Sequence, residues 1–199
     1  NFPDALGKFT AKKTYNLCHS KNGCDEPLID KRIDGYLAPR DEVANHWKSQ
    51  FNIDFKILEI PIDFERFSGK RQTNKYTILA PNTFDPLRMP MIKNLIDRAK
   101  ADPDIRLIFR GDDRGVSQFN KHSNIIFKPQ TQTIEEDMKD ADEVAGIFIG
   151  TVTLEAWAMG LKTSVYDEKG NWEYVEKPKD FEKYNYLNVA RKLIEIYGI

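Results

Sequence analysis

Cysteine, histidine and long apolar runs are all scarce in this chain. The 199 residues hold two cysteines, Cys18 and Cys24, and three histidines. With His19 and Asp25 the cysteines could be imagined around a metal, but their spacing matches no established zinc pattern and nothing in it favours a disulfide. Free thiols in a reducing compartment are therefore expected. No apolar stretch approaches the roughly 20 residues that span a bilayer, and no signal peptide is visible. Charge of one sign is not in excess either. Lys and Arg number 30 against 31 Asp and Glu, a formal net charge of -1, which removes any global electrostatic case for nucleic acid and leaves only local basic patches. Internal repeats and low-complexity tracts are missing. The chain does not begin with methionine, which suggests a piece excised from a longer protein. What is present is ordinary for a soluble globular protein, with 40% hydrophobic and 31% charged residues. The length suits one large domain or two small ones, with a sizeable core.

The chain is organised around residues 146–167, GIFIGTVTLEAWAMGLKTSVYD. Ile147, Phe148 and Ile149 read as a buried strand and Gly150 as a turn. A short helix follows with Leu154, Ala158 and Leu161 apolar, and a second strand runs over 163–166; together they form a parallel β-α-β unit. A helix starting just after Gly150 turns the unbonded N–H groups of Thr151, Val152 and Thr153, and the positive end of its dipole, towards whatever lies beyond the first strand. That is an anion site. Glu155, one turn in, stands on the rim of the same pocket. A glycine in a βα turn and an acid in a first helical turn also have a purely structural explanation.

The segment TLEAWAMGLKTSVYD resembles the LEAMA-x-G-x-PVV signature of the GT-B glycosyltransferases, the large retaining family that uses nucleotide sugars. The resemblance implies that Glu155 binds the ribose diol of the nucleotide and that the turn from Gly150 to Thr153 holds the diphosphate. Further stretches extend it. IPIDFERF, residues 60–67, is similar to the family's crossover into its second domain. Between the strand at 76–81 and the helix at 91–101, with Ile92, Leu95, Ile96 and Ala99 on one face, lies the place of the family's phosphate-neutralising arginine and lysine. Thr83 falls at the arginine and Arg88 at the lysine, with Lys93 a turn further on. The strand at 105–110 ends in Gly111, where the family's backbone approaches its ligand, and at the end of the strand over 124–129 Lys128, Pro129 and Gln130 occupy the place of the family's nucleobase contact. His19, at the end of a strand over 12–20, is the candidate for a histidine that faces the donor sugar.

The resemblance thus implies an α/β fold with a Rossmann-like parallel sheet and helices on both faces, joined to a remnant of the N-terminal domain. Residues 1–67 would be the tail of that acceptor-side domain and the crossover, 68–75 a linker, 76–180 the donor-binding domain and 181–199 a bracing helix. Within these, Asp41 is expected to cap a helix over 40–50. Thr133 with Glu136 forms a capping box for 134–141, and 168–179 is charged loop with Trp172 and Tyr174 buried. The implied reaction moves a sugar from a nucleoside-diphosphate sugar to a glycan or lipid-linked acceptor, with Arg88 stabilising the departing diphosphate and neither cofactor nor metal needed. Asp102 and Asp104 have Asp-x-Asp spacing but precede a strand rather than end one. The implied location is cytoplasmic, with peripheral contact at the inner face of the membrane left open. Where the family has a second glutamate, eight positions before Glu155, this chain has Ile147. Hence two other readings stand beside the transferase: a noncatalytic GT-B scaffold and a sugar-nucleotide epimerase.

Overall fold

A computed structural model describes residues 12–21, 25–82, 84–111 and 122–198. The chain divides into two compact units, Asn1–Pro61 with Glu182–Ile199, and Ile62–Phe181. The 68–75 stretch thus lies inside the second unit, and the terminal helix belongs with the first.

In the first unit β1 (Tyr15–Leu17), β2 (Gly35–Ala38) and β3 (Phe55–Ile57) pair in parallel in that order. Helix α1 (Asp41–Phe51) connects β2 to β3 and buries Val43, Ala44 and Trp47, which pack with Cys18 and Ala38. Asp41 does not cap this helix: Arg40 is the extended residue before it, so Asp41 is already helical and complements the dipole from the first turn. The terminal helix α5 (Tyr186–Tyr197) is capped by the side chain of Asn185, which accepts from the Leu187 N–H. It is tied to the same unit by the Tyr15 hydroxyl, which donates to Ile196 O at 2.9 Å, and by Lys192 against Glu59 at 2.8 Å. Val189 on this helix is buried, whereas Tyr186 in its first turn is exposed.

The second unit is a six-stranded sheet of order β6-β5-β4-β7-β8-β9. Its elements in chain order are β4 (Tyr76–Asn82), α2 (Met89–Ala101), β5 (Ile105–Gly111), β6 (Ile125–Pro129), α3 (Ile134–Lys139), β7 (Glu143–Ile147), α4 (Thr151–Ala158), β8 (Lys162–Tyr166) and β9 (Trp172–Val175). All pairings are parallel except β8 with β9. The chain winds outward in one direction from β4 and in the other from β7. Right-handed connections then set α2 and α4 on opposite faces of the sheet. Alternation along β4 serves both faces: Ile78 and Ala80 join the cluster that Met91, Ile92, Leu95 and Ile96 of α2 complete, and Leu79, also fully buried, points the other way.

Four expectations about this unit need correction. The organising strand is Glu143–Ile147, and Phe148 and Ile149 are 48% and 40% exposed. Ile147 is the last residue paired with β8, after which Phe148 takes a left-handed φ of 60° and swings the chain outward to Gly150. The charged loop after β8 contains strand β9, reached through a turn in which Asp167 accepts from the N–H groups of Lys169 and Asn171 and Gly170 has φ 85°. Trp172 and Tyr174 on that edge strand are 37% and 50% exposed rather than buried. The capping box at Thr133 does not form: its hydroxyl pairs with that of Thr131, and Glu136 is held by Arg71 and Lys139. Helix α3 correspondingly ends at Lys139.

Candidate functional site at the sheet switch point

The strand order reverses between β4 and β7, the neighbours from which the chain winds outward in opposite directions. In an open α/β sheet the crevice at that point, beyond the carboxyl ends of the strands, is where ligands bind. A cavity of about 260 Å³ lies there, lined by Pro81 from the end of β4, Gly146 and Ile147 from β7, and Gly150 to Thr153 at the start of α4. Arg88 and Met91, at the start of α2, close the other side. Two helix N-termini therefore meet one cavity, and among the described residues no acidic side chain lines it, Asp85 standing behind Arg88 as its ion-pair partner.

Gly150 is the extended residue before α4. The Leu154 N–H donates to Gly150 O at 3.1 Å as the first bond of the helix, so the N–H groups of Thr151, Val152 and Thr153 lie ahead of the ladder. The buried Thr153 hydroxyl accepts from the Gly150 N–H at 3.4 Å, which fixes the turn from inside. Arg88 is oriented by Asp85: the carboxylate accepts from the Arg88 backbone N–H at 3.0 Å and pairs with its guanidinium. The ion pair thus fixes the Arg88 guanidinium on a wall of the cavity that the α4 N-terminus also lines.

Glu155 sits on α4 one turn beyond. Burial pushes its carboxyl up to about 7, against the nearby Arg66 guanidinium, which lowers it, and with Glu135 adding to the rise. Arg66 is anchored to Glu135 at 2.8 Å and donates to Gln132 O at 2.6 Å. Its place beside Glu155 was not visible in the sequence, where Arg66 stands only in the turn of the IPIDFERF crossover. Asp63 does hold that turn, accepting from the N–H groups of Glu65 and Arg66.

None of the remaining sequence candidates described in the second unit lines the cavity. Lys93 is exposed on α2 and does not line it. Gly111 ends β5, in register with Asn82 and Pro129. Lys128 is paired with the buried Asp137 at 2.7 Å, Pro129 O accepts from Arg110 at 2.8 Å, and Gln130 is exposed. His19 follows β1 in the first unit and is exposed. Thr83, with Cys24, lies outside the described residues. Among the described residues no group of three or more His, Cys, Asp or Glu side chains is placed to hold a metal, and no helix is long and apolar enough to cross a membrane.

Sequence reasoning also missed Glu143. It is fully buried, accepting from Arg98 at 3.0 and 3.1 Å, from Ser164 at 2.6 Å, and from the hydroxyls of Tyr76 and Tyr174 at 3.0 and 3.1 Å. Burial alone would raise its carboxyl; the Arg98 and Ser164 hydrogen bonds outweigh it and hold the group below its ordinary value. The Arg98 guanidinium lies 4.3 Å from the centroid of the Trp172 ring. The only trace of this network in the sequence was a glutamate at the start of a strand, since its partner Arg98 lies on α2, 45 residues earlier.

No protein-family model and no curated protein sequence matches the chain. Solved structures do share the fold. HepE of Anabaena in complex with UDP-glucose matches with a TM-score of 0.58 and 12% identity, over 84% of this chain and 56% of that one. TarM of S. aureus, in complex with fondaparinux, alpha-GlcNAc-glycerol and UDP, matches at 0.59 and 14% over 94% of this chain and 44% of that one. WaaG, a glycosyltransferase involved in lipopolysaccharide biosynthesis, matches at 0.56 and 14% over 80% and 60%. The chain thus has the fold of the GT-B glycosyltransferases, as the resemblance implied. It spans about half the length of the structures it matches.

Proposed function

We propose that the cavity between β4 and β7 binds the diphosphate of a nucleotide sugar, and that the protein is a glycosyltransferase carrying that sugar to a glycan or lipid-linked acceptor. The observation that carries this reading is the convergence of Arg88 and the α4 N-terminus on one acid-free cavity at the switch point. Backbone N–H groups, a helix dipole and a guanidinium form an electrostatic cradle for a diphosphate, in the substrate and more strongly as it departs. Sugar transfer breaks the bond between the anomeric carbon and the diphosphate oxygen and forms one to an acceptor hydroxyl, whose proton is lost. The leaving group takes the electron pair as the cradle meets its charge, without calling on a metal. Glu155 is the ribose partner: its carboxylate accepts from the two hydroxyls of the diol. Two of the structures that share the fold hold UDP or a UDP-sugar, which makes uridine the first base to test.

A noncatalytic scaffold is the second reading, favoured by Ile147, whose aliphatic side chain lines the cavity where a carboxylate would offset positive charge developing on the sugar. Calorimetric titration with UDP, GDP and ADP, on wild type and on Glu155→Ala, tests the first reading. One diphosphate should bind saturably and lose affinity in the variant, and absence of binding for all three defeats it. Product analysis with labelled nucleotide sugars then separates transfer from a scaffold that binds without turnover.

A further inference from the structure

A second cavity of about 300 Å³ adjoins the first, with Phe148 lining both. Its other walls come from the end of β8, the turn after it and the start of β9, and its chemistry is different. Tyr166 and Trp172 supply aromatic surface, and Asp167, Asn171 and Glu173 supply a carboxamide and two carboxylates. Trp172 is held rather than loose. The Arg98 guanidinium covers one ring face at 4.3 Å, Tyr166 stacks at 6.1 Å and Tyr174 meets it edge-on at 5.1 Å, yet the residue stays 37% exposed. The buried Glu143 fixes Arg98 through two hydrogen bonds, so the network also serves to orient the indole. Phe148 holds a left-handed φ of 60° with its ring 48% exposed. Non-glycine residues held in this region cluster at ligand sites.

An aromatic face beside hydroxyl-accepting groups suits a ligand with an apolar C–H face and a rim of hydroxyls, whereas two carboxylates repel an anion. The volume lies at the lower end of the range for small-molecule sites. We propose that this cavity binds a pyranose ring, with Trp172 and Phe148 as its stacking walls and Glu173 and Asn171 as partners for its hydroxyls. The inference rests on the reading of the adjoining cavity as a diphosphate site, which sets the charged end of the ligand on the far side of Phe148. The ring is that of the donor sugar or that of a glycan acceptor, two sources of the same chemistry.

The test compares wild type with Trp172→Ala and Glu173→Gln. Glu173 is exposed and no hydrogen bond or ion pair holds its carboxylate among the described residues, so its substitution leaves the fold intact should Trp172→Ala disturb β9. Calorimetry with UDP, GDP and ADP and their glucose conjugates is run beside saturation-transfer NMR with free methyl hexopyranosides. For a donor subsite, affinity for the sugar conjugate falls about tenfold in both variants, and that for the matching diphosphate stays constant. For an acceptor subsite, both nucleotides bind unchanged and the pyranoside signal is lost. Sugars that bind equally well to all three proteins, or no sugar binding in either form to wild type, overturn the proposal. Pyranoside binding that depends on Trp172, with no diphosphate bound at all, keeps the sugar cavity and defeats the diphosphate reading instead.

Discussion

Replacing Arg98 by alanine strands the most deeply buried carboxylate among the described residues of the second unit. Glu143 is 0% exposed and the Arg98 side chain 18%, so solvent replaces little of what is lost. The substitution removes two charge-assisted hydrogen bonds to Glu143 and the cation against the Trp172 ring, leaving Ser164, Tyr76 and Tyr174 to hold the charge alone. Breaking a buried pair from one side costs about 3–5 kcal/mol, against a total of roughly 5–15 kcal/mol for a domain. The loss should depend on pH with a definite sign. In the wild type Glu143 lies below its ordinary value, so its stabilising contribution is present above the unfolded carboxyl value of about 4.3 and is lost as pH falls through the folded one. In Arg98→Ala the uncompensated burial raises the carboxyl instead, and the penalty is present above the unfolded value and relieved below it. The gap between the two proteins is therefore widest at pH 7, narrows towards pH 4 as the variant's penalty is relieved, and closes only below the folded wild-type value. Amide hydrogen exchange in β7 and β8 under increasing denaturant reads the second unit alone. A loss below about 1 kcal/mol at pH 7, or a gap that ignores pH, would refute the reasoning. The double substitution Arg98→Met with Glu143→Gln removes both charges but keeps an acceptor for the three hydroxyls, and should recover part of the loss.

Glu155→Gln tests the opposite sign. The wild-type carboxyl is raised to about 7, so its neutral form stabilises the fold fully below about pH 4.3 and this contribution is lost as pH rises through 7. The variant should gain on the order of 1 kcal/mol relative to wild type at pH 8 once the exposed part of the side chain is discounted, and nothing at pH 4; denaturant titrations at the two pH values decide. Arg88→Ala should weaken binding of the preferred nucleoside diphosphate roughly 10- to 100-fold. Arg88→Lys should restore only part of it, since an ammonium cannot repeat the planar fork; calorimetry reads both. Gly170→Ala forces a side chain onto φ 85° and sets its Cβ 3.0 Å from Pro90 O, which should cost about 1–3 kcal/mol in a chemical unfolding curve.

The parallel strands and the buried face of α2 were legible because each is a short-range pattern. Ile92, Leu95, Ile96 and Ala99 recur at helical spacing and are all buried. Glycine before a helix similarly marked the β7-α4 turn, although the strand ahead of it proved to end at Ile147. What escaped notice was non-local. Glu143 is tolerated in a central strand only because Arg98 arrives from 45 residues away, and no window of sequence contains both. Strand β9 is four residues long and mostly exposed, so its pattern resembled a loop; the Asp167 turn and the pairing with β8 create it. Thr133 and Glu136 matched a capping motif, but Thr131 and Lys139 nearby, and Arg71 from another segment, hold the two side chains instead. Arg66 beside Glu155 belongs to the same class, joined through Glu135 by an ion pair between residues far apart in the chain.

The two cavities beside Phe148 differ in charge, and that difference constrains the ligand more than either shape does. One offers a guanidinium and a helix N-terminus without a lining acid; the other offers Asp167 and Glu173 among aromatic rings. A free dianion gains only from the first, and a neutral sugar only from the second. A molecule joining an anionic diphosphate to a neutral hydroxylated ring can engage both if its linkage passes Phe148, and a nucleotide sugar has that division of charge. On the proposed reading, the repulsion that Asp167 and Glu173 exert on an anion would also set the direction in which the diphosphate lies.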